Sequence, residues 1–192
     1  MSNIKTYITP AFSRRAVRLL FVLLCVILSL KGFSQSTSRE YNIKAAFLYN
    51  FTQFIEWPAN AFTNADAPFV IGILGEDPFG SYIDETVANE KLKGHPVIVQ
   101  RYSRLRDIRN CNMLFISNSM TSRLQEILAV LDNKSVLTVS DIPNFARNGG
   151  MICFVTKENK IKLQINPSAA KDADLNISSK LLRVADIVET PR

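Results

Sequence analysis

The segment Lys44–Pro58 constrains the fold most, because it predicts a helix that is apolar on nearly every side. We expect the helix to run from about Arg39 to Glu56 and to end before Pro58. One apolar face recurs at helical spacing through Ile43, Phe47, Phe51 and Phe54. A helix of this kind must bury much of its surface against the rest of the domain, and we assign its phenylalanine face to the core.

The opposite side of this helix is also apolar. A helix that is apolar all round is buried deeply, or is buried twice, once in its domain and once in an interface. The candidate partner-binding residues are therefore those on this side and at the helix exit: Leu48, Thr52, Ile55 and Trp57. The alternative, in which the whole helix belongs to the core, stays open.

Residues 1–34 read as a signal for export. A basic stretch containing Arg14 and Arg15 precedes the apolar run Leu19–Leu30, and small residues follow near Ser34. We expect cleavage there, with an uncleaved membrane anchor as the alternative, which leaves residues 35–192 as one periplasmic domain. Removing five basic residues and no acid lowers the formal charge from +6 to +1. The mature chain therefore carries no charge signature of nucleic-acid binding.

Strands and helices alternate after the first helix. This order predicts an α/β sandwich with a mixed, mostly parallel sheet, closed by a C-terminal hairpin and helix. The predicted strands are Phe69–Leu74, Pro96–Tyr102, Asn112–Ser117, Val136–Val139, Met151–Thr156 and Lys160–Ile165. The predicted helices after the first span about 77–88, Thr121–Leu131 and Ala169–Val188, the last as one or two helices.

Catalytic and metal-binding patterns are weak. His95 is the only histidine, and it lies in a Gly-His-Pro turn without a partner that the sequence can identify. No group of Cys, His, Asp and Glu has the spacing of metal ligands. We therefore expect neither an enzyme nor a cofactor or metal.

Polar residues follow several predicted strands. In α/β sheets the carboxyl ends of parallel strands often form a ligand crevice. The candidate crevice residues are Glu76, Asn118, Asp141 and Arg147, although capping and turn formation explain the same residue types. A periplasmic small-solute-binding protein is the alternative function that these residues suggest.

Two cysteines, Cys111 and Cys153, remain after export. An oxidising compartment allows a disulfide between them, whereas the apolar context of Cys153 favours a buried thiol. The sequence does not decide between the two, because it does not give the distance between the Cα atoms.

Four stretches in order resemble the YfiR family across about Tyr41 to Val188. They are Lys44–Pro58, Cys111–Ile116, Asn148–Ile152, and Ile165–Pro167 with the residues from Leu175 to Leu182. The resemblance implies a periplasmic regulator that binds the periplasmic sensory domain of a membrane diguanylate cyclase or histidine kinase, with a homodimer left open. The best-known member of the family carries two disulfides. By this resemblance Cys111 and Cys153 would each be one half of such a pair, with Ala146 near the position of the missing partner of Cys153.

Overall fold

The computed structural model describes residues 39–158 and 160–191. The predicted signal at residues 1–34 lies outside these residues, so the fold neither supports nor opposes it. From Glu40 onward the chain forms one compact unit. Within the described ranges, no helix combines the length and the apolarity needed to cross a membrane.

The first helix, α1, covers residues 39–54 and is followed at once by the strand β1, Ile55–Glu56. The predicted helix therefore ends two residues too late. Ile55 and Glu56 leave the helix because they pair antiparallel with β9, Asn176–Ile177, and Pro58 disfavours helical backbone just ahead of it. This pairing ties the exit of α1 to the C-terminal part of the chain.

A mixed sheet occupies the centre of the described part of the chain, where eight strands follow the order β10-β8-β7-β6-β5-β2-β4-β3. The strands are β2 (Phe69–Leu74), β3 (Lys91–Leu92), β4 (His95–Tyr102), β5 (Met113–Ile116), β6 (Leu137–Ser140), β7 (Ile152–Lys157), β8 (Lys160–Ile165) and β10 (Asp186–Ile187). The helices that follow α1 are α2 (Tyr82–Val87), α3 (Leu124–Leu131), α4 (Pro167–Asp172) and α5 (Ser179–Leu182).

The strands β4, β2, β5, β6 and β7 are parallel neighbours, whereas β3 and β8 run antiparallel to β4 and β7. When the five parallel strands are numbered by their order along the chain, they lie side by side in the doubly wound order 2-1-3-4-5. The predicted α/β fold with a mostly parallel mixed sheet and a hairpin is therefore confirmed.

Burial explains why the central strands are almost wholly apolar. Every residue of β2, β5 and β6 is buried, because helices or loops cover both faces of the sheet. One face packs with α1 and α2 around Phe69, Ile71 and Phe115. The other packs with α3 around Leu114 and Ile116.

The C-terminal segment differs from its prediction. Ala169–Val188 does not form one or two helices but alternates α4, β9, α5 and β10. Asp174 adopts a left-handed backbone with φ of 57°, just after α4, and Ser178 starts α5 by accepting a hydrogen bond from the amide of Lys180. The two short strands form because β1 and β8 each offer a free edge at this end of the molecule.

Candidate functional site

Helix α1 carries an apolar outer face on the surface. We define the outer face as Ile43, Phe47, Asn50 and Phe54, which follow one another at spacings of four, three and four residues. Ile43 is 45% exposed, Asn50 is exposed, and both phenylalanines are half-buried. The outer face is therefore an apolar strip available at the surface of the described chain.

The rings of the outer face are held in place by the core beneath them. Phe47 lies 5.9 Å from the Phe154 ring and 6.2 Å from Phe51, measured between centroids, and Phe51 stacks on Phe154 at 5.8 Å. The backbone carbonyl of Phe54 accepts a hydrogen bond from the amide of Ser178. These contacts make the strip a rigid surface.

The predicted partner-binding side of α1 faces the core instead. Leu48, Thr52 and Ile55 are 0%, 2% and 4% exposed, and Thr52 donates its hydroxyl to the carbonyl of Tyr49 at 2.6 Å. The expectation that these three residues are available to a partner is therefore wrong. The assignment of the phenylalanine face to the core holds fully for Phe51 only, because Phe47 and Phe54 are half-buried and Ile43 points outward.

Trp57, the fourth predicted partner-binding residue, is half-buried at the exit of α1. Its indole Nε1 donates to the carbonyl of Asn112 at 3.0 Å, and the ring meets Phe69 edge-on at 4.8 Å. The Asn112 side chain is itself buried, accepting from the amide of Val70 and donating to the carbonyl of Ala61. Trp57 is thus fixed in position while part of its ring stays accessible.

The carboxyl edge of the sheet is closed by the first turns of α1. Asp141, which follows β6, accepts hydrogen bonds from Tyr41 at 2.8 Å, from Lys44 at 2.6 Å and from Asn118 at 3.2 Å. Tyr41 also meets the Phe79 ring edge-on at 5.6 Å. Both carboxylate oxygens of Asp141 are therefore occupied by groups of this chain.

Lys44 is a buried charge, with 3% of its side chain exposed. It pairs with Asp141 at 2.6 Å and with Glu40 at 2.7 Å. Burial raises the pKa of Glu40, but hydrogen bonds from Lys44 and Thr156 outweigh burial and hold that pKa below its ordinary value. Burial and the bond to Asp141 raise the pKa of Tyr41, so its phenol stays a donor. The network fixes the start of α1 on the sheet.

The predicted ligand crevice is therefore only partly assembled. Asn118 and Asp141 are in contact, and Glu76 lies nearby because its amide donates to the hydroxyl of Ser119. Arg147 is exposed and forms no ion pair with any described residue. The prediction of a crevice needs correction, since Tyr41 and Lys44 fill the place that a solute was expected to take.

Cys111 and Cys153 are both free buried thiols, which decides between the two alternatives that the sequence left open. Cys111 precedes β5 and Cys153 lies on β7, with β6 between them, so two strand spacings of about 4.8 Å separate them laterally. Cys153 pairs in register with Ser140, which in turn pairs with Ile116. Ile116 lies five residues beyond Cys111, so the two cysteines are also displaced by about 16 Å along the strand direction. A disulfide requires Cα atoms within about 7 Å.

Burial also makes both thiols poor nucleophiles. It raises the pKa of Cys111 to about 12 and raises the pKa of Cys153 as well. Because the thiolate is the reactive form, neither is poised for redox chemistry at neutral pH. The Cys153 thiol donates to the carbonyl of Ile142 at 3.4 Å, and the backbone of Phe145 and Ala146 partly offsets the rise of the Cys153 pKa, so Ala146 lies near Cys153.

No cluster of three or more His, Cys, Asp or Glu side chains capable of holding a metal ion occurs among the described residues.

Sequence reasoning missed the outward direction of Ile43. Asn50, seven residues after Ile43 and on the same strip, could have indicated this direction, because a polar residue on an otherwise apolar helix marks the side that faces solvent.

The protein is a doubly wound α/β domain. The start of α1 covers the carboxyl edge of its sheet at Asp141, and the same helix presents an apolar strip at the surface. The model of the YfiR/HmsC-like family matches residues 41–186, and the chain belongs to this family. Membership suggests a periplasmic regulator of diguanylate cyclase signalling, and members of this family are regulators rather than enzymes. No curated protein matches the chain.

Proposed function

We propose that this chain is an exported regulator that binds the periplasmic sensory domain of a membrane diguanylate cyclase through the outer face of α1. The observation that carries the proposal is a helix face on which Ile43 is exposed and is followed by two half-buried phenylalanines, Phe47 and Phe54. An amphipathic helix that offers apolar side chains at such spacing is a common recognition element. A membrane histidine kinase is the other partner class that family resemblance leaves open.

The outer face has the composition of the centre of an interface. Aromatic residues are enriched at binding hot spots, and here Phe47 packs on Phe51 and Phe154 while Phe54 packs against the same core, so little side-chain entropy is lost on binding. A second apolar area lies near the final helix, where Val184 is 73% exposed and Ile187 is 52% exposed. It supplies further surface for a partner, or for a second copy of this chain.

The test compares two glutamate substitutions at equally exposed aliphatic residues. Ile43 on α1 and Val130 on α3 are each 45% exposed, so neither change places a charge in the core. We expect deletion of the gene to change cellular cyclic di-GMP, and Val130→Glu to restore the original level. Ile43→Glu should fail to restore it, because a charge in an apolar interface loses its hydration without a partner.

The two variants must first be shown to be exported and folded at equal levels. Equal restoration by both would exclude the outer face as the regulatory surface. Unchanged cyclic di-GMP after deletion, with altered phosphorylation of a response regulator, would move the proposal to a kinase partner. Light scattering of the purified variants separates loss of self-association from loss of a different partner.

A further inference from the structure

An aromatic cavity of about 530 Å³ lies beside the hairpin formed by β3 and β4. Its apolar wall includes Ile55, Trp57, Phe62 and Leu92. Cavities of about 300–1,000 Å³ with mostly apolar walls and a few polar groups are typical of small-molecule sites. No residue of the outer face of α1 lines this cavity, and neither do the residues around Asp141.

The walls of the cavity are fixed before any ligand arrives. Phe62 stacks on His95 with ring centroids 4.0 Å apart and planes 11° apart, and Trp57 is held by its bond to Asn112. His95 Nδ1 lies 2.7 Å from the carbonyl of Ala67, and a carbonyl only accepts, so Nδ1 carries the proton. A preformed pocket of this kind loses little entropy on binding.

The polar side of the cavity is cationic. Lys93 and Gly94 have positive φ values of 49° and 95° and form the two-residue turn between the paired residues Leu92 and His95. This geometry is that of a type I′ hairpin turn, and it sets Lys93 at the cavity. Among the described residues that line the cavity none is Asp or Glu, so Lys93 offers an anionic headgroup an opposite charge at the wall.

We propose that this cavity binds a compact apolar carboxylate. The hydrocarbon body lies between Trp57 and Phe62, and the carboxylate lies on the Lys93 ammonium. Charge-assisted hydrogen bonds of this type are about twice as strong as neutral ones, so the headgroup supplies selectivity while the walls supply apolar burial. The proposal does not depend on the regulatory function, because it concerns a different surface.

Trp57 is the only tryptophan in the chain, so its fluorescence reports the cavity directly. We would titrate protein produced from the full-length chain with 4-phenylbutyrate and with octanoate, which distinguish an aromatic from an aliphatic body. The matching amides test the role of the charge. We expect saturable changes in Trp57 emission with at least one carboxylate, and affinity for its amide weaker by at least about tenfold.

Two lysines of the same hairpin provide matched variants. Lys93→Gln removes the cation at the cavity, whereas Lys91→Gln removes an exposed cation that does not line it. We expect only Lys93→Gln to erase the preference for carboxylate over amide. The proposal would be overturned by no saturable change up to a concentration of about 1 mM, by equal affinity for acid and amide, or by equal effects of the two variants.

These outcomes are distinct from failure of the regulatory proposal. Binding of a carboxylate is read from purified protein, whereas the role of the outer face is read from cellular cyclic di-GMP. Either result can hold while the other fails.

Discussion

The two sides of α1 are both apolar, yet they meet different surroundings. The inner side places Ala45, Leu48 and Ile55 against the sheet with at most 4% exposure, and Lys44 is buried in an ion pair beside them. The outer face leaves Ile43 at 45% exposure, followed along the helix by the half-buried rings of Phe47 and Phe54. The inner side therefore holds the fold together, and the outer face is the side that we propose for a partner. Apolar content alone does not separate these roles.

The largest expected effect concerns the buried charge at the start of the inner side. Asp141→Asn removes the more deeply buried of the two carboxylates that pair with Lys44 and leaves only Glu40, and breaking a buried pair costs up to about 3–5 kcal/mol. Urea denaturation measures the loss. The control is Asp77→Asn, which breaks the exposed pair with Arg101 and should cost about 1 kcal/mol or less. Similar losses in the two variants would mean that Lys44 does not depend on Asp141.

A second comparison uses aliphatic residues on the two sides of the helix. Leu48→Ala opens a cavity in the core and should lower the free energy of unfolding by about 2–5 kcal/mol. Ile43→Ala removes exposed surface and should change it by about 0.5 kcal/mol or less. Chemical denaturation of both variants tests the assignment of the inner side and the outer face of α1. Equal losses of stability would contradict it.

The smallest effect is a pH dependence at Glu40. Because its folded pKa is depressed, its contribution to stability is present above pH about 4.5 and is lost as the pH falls through the folded value. Glu40→Gln should therefore unfold with a shallower loss of stability below pH 4.5 than the original chain. A helical pair of this spacing contributes about 0.2–0.5 kcal/mol, so the difference between the two profiles should be small. Identical profiles would show that the Lys44 network does not need Glu40.

The sequence predicted the α/β architecture because its buried strands are continuous apolar runs, as at Phe69–Leu74, and because Lys157–Lys160 closes a hairpin. It did not predict the C-terminal alternation, since β9 and β10 form only by pairing with distant strands. Short strands of two residues carry no periodic signal of their own.

The candidate site was harder to predict, because tertiary contacts decide which side of α1 is buried and which side is exposed. Phe47 and Leu48 are equally apolar in sequence, and only the position of the sheet buries Leu48 completely. The closed carboxyl edge was also missed, because the contacts of Tyr41 and Lys44 with Asp141 span about a hundred residues of chain. Local motifs cannot report contacts at that distance in the sequence.

Site-specific photo-crosslinking in the native cell tests the central claim most directly. A photo-reactive residue at position 43 lies on the outer face, and one at position 130 has the same exposure on α3. We predict a strong crosslink from position 43 to the periplasmic domain of a membrane diguanylate cyclase, and little from position 130. A crosslink to that domain from position 130 but not from position 43, in chains that still regulate, would contradict the assignment of the outer face.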